Sequence, residues 1–405
     1  MEAHAIIGRC LALAALSETP DHLRRTFLSP PMRAVHRLLT EWMEDAGMTV
    51  TVDAAGNLRG VYPAAAEPAR RLIVGSHVDT VPNAGAFDGP LGVVLAVALV
   101  ASLERRRLPF SIEVVAFSEE EGVRFGVPFI GSRALIGTLD QELLAREDTA
   151  GISVAQAIRD FGLDPNRLPE AVLDNNTFGY VEFHIEQGPV LESLDLPLGI
   201  VTSIVGQSRM NLTFRGQANH AGTTPMRLRR DALAAAARFI SIVERHAQAT
   251  PGLVATVGAI EVEPGASNCI PGEARLSLDV RHESDSIRRA SAETLINTAQ
   301  RIAERRRLNF EWRQLADQPA VGCDRFLIDA LENAVTAAGI PTHEMPSGAG
   351  HDAMILAARV PVAMLFLRSP GGLSHHPEEA VRPGDVKTAL AAGRELLSQL
   401  ERSHA

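Results

Sequence analysis

Three consecutive carboxylates, Glu119, Glu120 and Glu121, follow the apolar run "SIEVVAF" in the stretch "FSEEEGVRF" (Phe117–Phe125). Two like charges about 4 Å apart near a protein surface repel by about 4 kcal/mol at an effective dielectric near 20. A buried strand that ends this way either releases its charges into water or aims them at something strongly positive. Other stretches favour the second choice. "GSHVDTVPNAGAFDG" puts His77 and Asp79 at the end of an apolar strand and Asp88 in the loop behind it. "VEFHIEQGPVLE" carries His184 within an apolar strand, and "RSPGGLSHHPEE" carries His375 and His376 in a glycine-rich loop after "VAMLFL". Each alone fits a blander role: a solvated loop, a hydrogen-bonded core histidine, a polar turn. Together they place His, Asp, Glu, His and His at the ends of several core strands. Imidazole and carboxylate without thiolate suit borderline divalent metals such as zinc, manganese, cobalt or nickel. Five ligands exceed one tetrahedral site and suit two ions that share a bridging carboxylate. Such pairs lie roughly 3.5–4 Å apart and activate a bridging water for hydrolysis. The glutamate run then faces two dications, one Glu binding metal and a neighbour taking the proton from water.

The elements that must position these groups alternate. "RLIVGSHV" reads as a buried strand, "LGVVLAVALVASLERRR" as a helix and "FSIEVVAFS" as the next strand, with "GYVEFHIEQG" and "LGIVTSIVG" as further strands of the same layer. Short apolar strands separated by helices predict a mostly parallel sheet covered on both faces. Ligands collect at the carboxyl edge of such sheets. Near Gly206 the style changes: "RMNLTFRGQ" alternates apolar and polar residues, as a half-exposed strand does. A helix, the strands "LVATVGAIEVEP" and "ARLSLDVRH", a long helix and "LNFEWRQL" follow, a β-α-β-β-α-β order. From about Cys323 the buried style returns. The expected architecture is an α/β core, residues 1–205 and 322–405, interrupted by an inserted α+β lid domain over 206–321.

Composition narrows the function. The chain of 405 residues is 46% hydrophobic and 22% charged, and its formal net charge of -10 argues against a nucleic-acid or anionic-membrane partner. Cys10, Cys269 and Cys323 form no CxxC pair, which argues against a disulfide scaffold or a thiolate zinc site and fits a reducing compartment. The start reads as an amphipathic helix and no apolar run is long enough to cross a bilayer, so a cytoplasmic location is expected. "GQANHAG" and "GAGHDA" keep neither GxGxxG nor GxxxxGK[ST] spacing, which rejects dinucleotide and phosphate-loop readings.

"GSHVDTVPNAGAFDGPLGV", "SEEEGVRF", "EFHIEQGPVLE", "GQANHAGTTPM" and "SHHPEE", in that order along nearly the whole chain, resemble the amidase/hydantoinase/carbamoylase branch of the aminoacylase-type dinuclear metallohydrolases. That branch includes N-carbamoyl-L-amino-acid hydrolases, β-ureidopropionases and allantoate amidohydrolases. The resemblance implies that Asp88 bridges two ions, with His77 and His184 on one and Glu121 and His375 on the other. Glu120 would be the general base and Asp79 would orient the ring of His77. Glu119/Glu120 as the base–ligand pair, and His376 in place of His375, stay open. Peptidase-like relatives commonly place an acid at the position of His184, and Gln187 would touch the substrate. The resemblance makes the α/β core catalytic and the lid a dimerisation domain. In the lid, His220 would stabilise the oxyanion in a partner subunit's site, which implies a homodimer. Asn268 and Arg281 would bind the substrate carboxylate, with amides around Gly350 of "SGAGHDAM" against the same group. The implied reaction cleaves a ureido C–N bond in a small carboxylate-bearing substrate and releases ammonia and carbon dioxide. Allantoate and N-carbamoyl-L-amino acids are the candidates, "DTVPNAGAFDGPLGV" and "RSPGGLSHHPEE" standing slightly nearer to the allantoate enzymes. An aminoacylase or dipeptidase, or a catalytically silent binding protein on the same fold, are the alternatives.

Overall fold

The computed structural model describes residues 2–404. It divides into two compact units, Met1–Thr202 with Cys323–Ala405, and Ser203–Gly322. In the first unit, the strands Ser111–Phe117, Arg71–His77, Thr177–Ile185 and Val362–Leu367 lie side by side in that order. All three ladders between them are parallel. Three of these strands are buried at every position, and the fourth at all but its first residue, the pattern of a sheet covered on both faces. The expected parallel sheet holds for these four strands, whereas both flanks are antiparallel. Leu198–Ile204 pairs antiparallel with Val362–Leu367. On the other side Leu58–Tyr62 pairs antiparallel with Ser111–Phe117 and carries Thr49–Val52 at the edge. This last hairpin was not anticipated. Its turn is closed by Asp53, whose Oδ1 accepts the N–H groups of Ala55 and Asn57.

The helix Pro90–Ala101 is apolar on all sides and buried through Val100. It lies close to the sheet because residue 92 is glycine. A Cβ there would sit 2.1 Å from the Phe183 carbonyl oxygen and 2.8 Å from the Ser76 Cβ. This contact fixes the start of the helix, and with it Asp88 two residues earlier, against the strands that end in His77 and His184.

The second unit is a five-stranded antiparallel sheet with two helices. Its order is Ile260–Glu263, Glu273–His282, Gly206–Arg215 and Asn309–Gln318, with Val254–Thr256 also paired to Glu273–His282. The stretch "LVATVGAIEVEP", read as one strand, is broken at Val257–Ala259. Gly206–Arg215 alternates buried and more exposed residues. Its buried Met210, Leu212 and Phe214 share a core with Phe239 of the helix Ala232–Ala249 and Leu295 of the helix Asp285–Arg306. The fully buried Arg288 pins the second helix to the sheet through Asp317 and Ser208, and bonds Asp285 one turn back on its own helix. A two-residue ladder pairs Asn219–His220 with Cys269–Ile270. Among the described residues no helix is long and apolar enough to cross a membrane.

Gly92→Ala should destabilise the first unit by about 1–3 kcal/mol, the usual cost of overpacking a closed interface. Urea unfolding of the purified variant measures this, and an unchanged midpoint would show that the helix can move away at no cost.

Candidate metal centre

Because the four central strands are parallel, their carboxyl ends meet at one edge, and the chemistry-bearing residues lie there. His77 is the last residue of its strand and Phe117, its neighbour in register, ends the next. Glu120 and Glu121 follow three and four residues later. His184 faces Phe366 across the third ladder, and His375 lies in the loop beyond Val362–Leu367. Asp88 enters from the loop before the helix Pro90–Ala101, at Gly89 with φ 84°. The His77 imidazole lies against Gly89, where a Cβ would fall 2.5 Å from the ring.

Asp88 is the hub. Its Oδ1 lies 3.2 Å from His184 Nε2 and 3.6 Å from His77 Nε2, and its Oδ2 lies 3.3 Å from His375 Nε2. His375 Nε2 is also 3.4 Å from Glu121 Oε1. Two of the buried rings are held from behind: His184 Nδ1 is 2.9 Å from the Ile185 carbonyl and His77 Nδ1 is 3.1 Å from the Asp79 carbonyl. A neutral ring that donates from Nδ1 keeps its Nε2 lone pair for the centre, the usual arrangement of a ligating histidine. Ligand atoms of His77, Asp88 and His184, of Asp88, Glu121 and His375, and of His77, Glu120 and Glu121 each lie within 4.8 Å of one another. Asp88 is common to the first two sets. This nitrogen and carboxylate donor set fits divalent cations.

The electrostatics show the same demand. Burial pushes the Glu120 carboxyl well above its ordinary range; His77 counters this, while Glu121, Asp352 and Asp79 add to it. Burial also raises Glu121. Asp88, buried too, is nevertheless held well below the ordinary value by His184, His375 and His77. His375 is raised to about 10 by Asp88 and Glu121. A dication between these groups would relieve both the acid–acid repulsion and the burial cost.

Asp79 does more for the glutamates than for the ring. Its two carboxylate oxygens accept the N–H groups of Glu120 (2.9 Å) and Glu121 (3.0 Å), while its Oδ1 stays 3.4 Å from His77 Nδ1. Glu119 is buried and enters none of the donor sets, and His376 spends its Nδ1 on the N–H of Glu378. Gln187, at φ 60°, donates from Nε2 to Asp88 Oδ2 at 2.8 Å. Its Oε1 is buried with no partner among the described residues. Gly350 packs against the ring of Phe129, with room for a Cβ only at 3.0 Å. In the second unit, His220 and Asn268 are neighbours through the Ala221 N–H, which donates to the Asn268 carbonyl. His220 Nδ1 accepts from the N–H groups of Gly222 and Thr223, so the neutral ring carries its proton on an exposed Nε2. Arg281 lies in a different strand and pairs with Asp279 through two contacts of 3.1 and 3.0 Å.

Residues 73–399 match the model of peptidase family M20/M25/M40. The chain belongs to this family. Over 393 residues it is 41% identical to an N-carbamoyl-L-amino acid amidohydrolase of Geobacillus stearothermophilus, a match covering 96% of this chain and 95% of that one. It is 39% identical to allantoate deiminase 1 of Glycine max, covering 98% of this chain and 88% of the relative. Its fold is similar to the crystal structure of a hydantoinase/carbamoylase-family amidase from Burkholderia multivorans, with a TM-score of 0.93, 31% identity and 98% of both chains covered.

Several groups around the centre of this M20/M25/M40 chain were not legible in the sequence. Arg25 is fully buried behind the turn after His77 and donates to the carbonyls of Val78 (2.6 Å), Leu13 (2.7 Å) and Leu16 (2.9 Å). Burial lowers its pKa to about 10, and nothing in "RRTFLSP" marks it as a core residue. Glu182, His184 and His351 form a further cluster beneath the centre, and His351 is kept neutral by burial and by His184. "SGAGHDAM" contains His351 and Asp352, both buried, and its glycine-rich pattern marks neither as a core residue. Ser374 donates to Asp88 Oδ2 at 2.8 Å, and Glu379 accepts the Asp88 N–H at 3.0 Å.

His375→Ala should lower bound divalent metal by about one equivalent, whereas His376→Ala should leave metal content unchanged. Elemental analysis of both variants after gel filtration checks this, and loss in the His376 variant alone would move the ligand by one residue.

Proposed function

We propose that this chain is a metal-dependent amidohydrolase that cleaves the ureido C–N bond of a small carboxylate-bearing substrate. The observation that carries the reading is the Asp88 carboxylate, faced by three imidazole Nε2 atoms, with Glu120 and Glu121 beside it. Relatives that are named for carbamoyl and allantoate hydrolysis over nearly the full length support the bond type.

His77, Asp88 and His184 would hold one divalent ion, and Asp88, Glu121 and His375 the other; zinc, manganese, cobalt or nickel all suit the donors. When bound, such ions supply the charge that acidifies water and polarises a carbonyl. Glu120 shares a donor set with His77 and Glu121 but none with Asp88, and in this reading it takes a proton from water and returns it to the leaving nitrogen. Asp79 steadies it through the backbone of the glutamate run. The products are the amine and a carbamate, which breaks down to carbon dioxide and ammonia. The exposed Nε2–H of His220 is suited to stabilise the developing oxyanion, offered across a homodimer to the partner subunit. Asn268 and Arg281, with amides near Gly350, would take the substrate carboxylate, Arg281 exchanging Asp279 for it. Three unpaired thiols, Cys10, Cys269 and Cys323, accord with a cytoplasmic enzyme.

The unpartnered Oε1 of Gln187 gives the site an acceptor that suits a ureido N–H and not an acyl methyl. Leaving a buried donor unpaired costs about 1–3 kcal/mol. Gln187→Leu should therefore lower kcat/KM for the ureido substrate by about 10–100-fold relative to its N-acetyl analogue. Equal losses on both would remove Gln187 from this contact.

Ammonia release from allantoate, N-carbamoyl-L-amino acids and N-carbamoyl-β-alanine, beside release of free amino acid from N-acetyl-amino acids and a dipeptide, under several metals, tests the reading as a whole. Turnover confined to the acetyl compounds or the dipeptide would replace it with an aminoacylase or peptidase. Glu120→Gln should keep its metal and lose about 10²–10⁴-fold in kcat, the usual contribution of general acid–base catalysis. Glu121→Gln should instead lose metal; the reverse pattern would exchange the two roles.

A further inference from the structure

The three histidines around Asp88 are held very differently. His77 and His184 lie on central strands and are almost fully buried, with 2% and 1% of their side chains exposed. His375 is 49% exposed, lies outside any strand and adopts φ 56°. Ladder hydrogen bonds fix the first two rings, whereas a loop-borne ligand keeps its place only if something ties the loop down. Four residues after His375, Glu379 turns back into the protein and is 5% exposed. Its Oε1 accepts the N–H groups of Phe87 (2.8 Å) and Asp88 (3.0 Å). Its own N–H bonds the His376 carbonyl, and its Oε2 lies 3.5 Å from Ser374 Oγ, which donates to Asp88 Oδ2. The two loops touch with nothing between them, since a Cβ on Gly85 would fall 2.3 Å from the Glu379 Cβ.

We propose that Glu379 is a positioning residue that clamps the His375 loop onto the Asp88 loop and thereby builds the half of the centre formed by Asp88, Glu121 and His375. It acts through backbone amides and is itself in none of the donor sets. The His77 and His184 half depends on it less, because strands fix those rings and Asp88 is also held by Gln187 and by the helix that follows it. The clamp makes metal affinity asymmetric, with the second ion the one that reports the state of the loop. This inference rests on the reading that the centre takes two ions.

The test titrates metal-free full-length protein with zinc against a competing chelator, following stoichiometry and affinity for wild type, Glu379→Gln and Glu379→Leu. Wild type should take two equivalents. Glu379→Gln should bind both within about threefold of wild type, because its amide oxygen can accept the same two N–H groups. Glu379→Leu should keep the first equivalent and weaken the second by about 10–100-fold, the usual effect of losing a residue that supports metal ligands. If the leucine variant does not fold, Glu379→Asp, one methylene too short for both amides, should show the same selective loss. Unchanged binding of both equivalents in these variants, or equal weakening of both, overturns the clamp. Wild type binding fewer than two equivalents overturns the two-ion reading itself, a result distinct from either.

Discussion

Asp88 lies where three imidazoles and two glutamates converge, and much of the first unit can be understood as what keeps that convergence in place. Four parallel strands deliver His77, the Glu120–Glu121 run, His184 and the His375 loop to a single edge of the sheet. Carboxylates so close and so buried are stable only while positive charge faces them. In the protein alone the histidines supply it, and Asp88 is accordingly held in its charged form by all three. The same charged groups that make the site costly to fold are groups that could hold a metal ion.

The supporting residues act on the backbone more than on the ligand side chains. Asp79 takes the amides of Glu120 and Glu121, Arg25 takes the carbonyl of Val78, and Glu379 takes the amides of Phe87 and Asp88. Such contacts set where each loop runs and leave the ligand atoms free to face the centre. Glycine serves the same end where the chain passes close to the site, at Gly89 against His77 and at Gly92 against Phe183. The second unit uses the device on one side chain, where two amides fix the tautomer of His220 and direct its remaining proton outward.

The types and order of the candidate ligands, the family and the alternation of buried strands and helices were all legible in the primary structure. They are written in local patterns: apolar runs of strand length, each ended by a residue that can bind metal, with a change to period-two alternation near Gly206. The choice among Glu119, Glu120 and Glu121, and between His375 and His376, was not. Adjacent residues of the same type share one local pattern and differ only in which way the folded backbone turns them. In the structure Glu121 and His375 share a donor set with Asp88, Glu120 shares one with His77 and Glu121, and Glu119 and His376 enter none among the described residues. The antiparallel flanks of the sheet, the burial of Arg25 beneath the His77 turn and the reach of Glu379 to the Asp88 amide likewise came only with the tertiary structure. Each joins residues far apart in the chain, Glu379 and Asp88 by 291 positions, and no local preference of either residue encodes its partner.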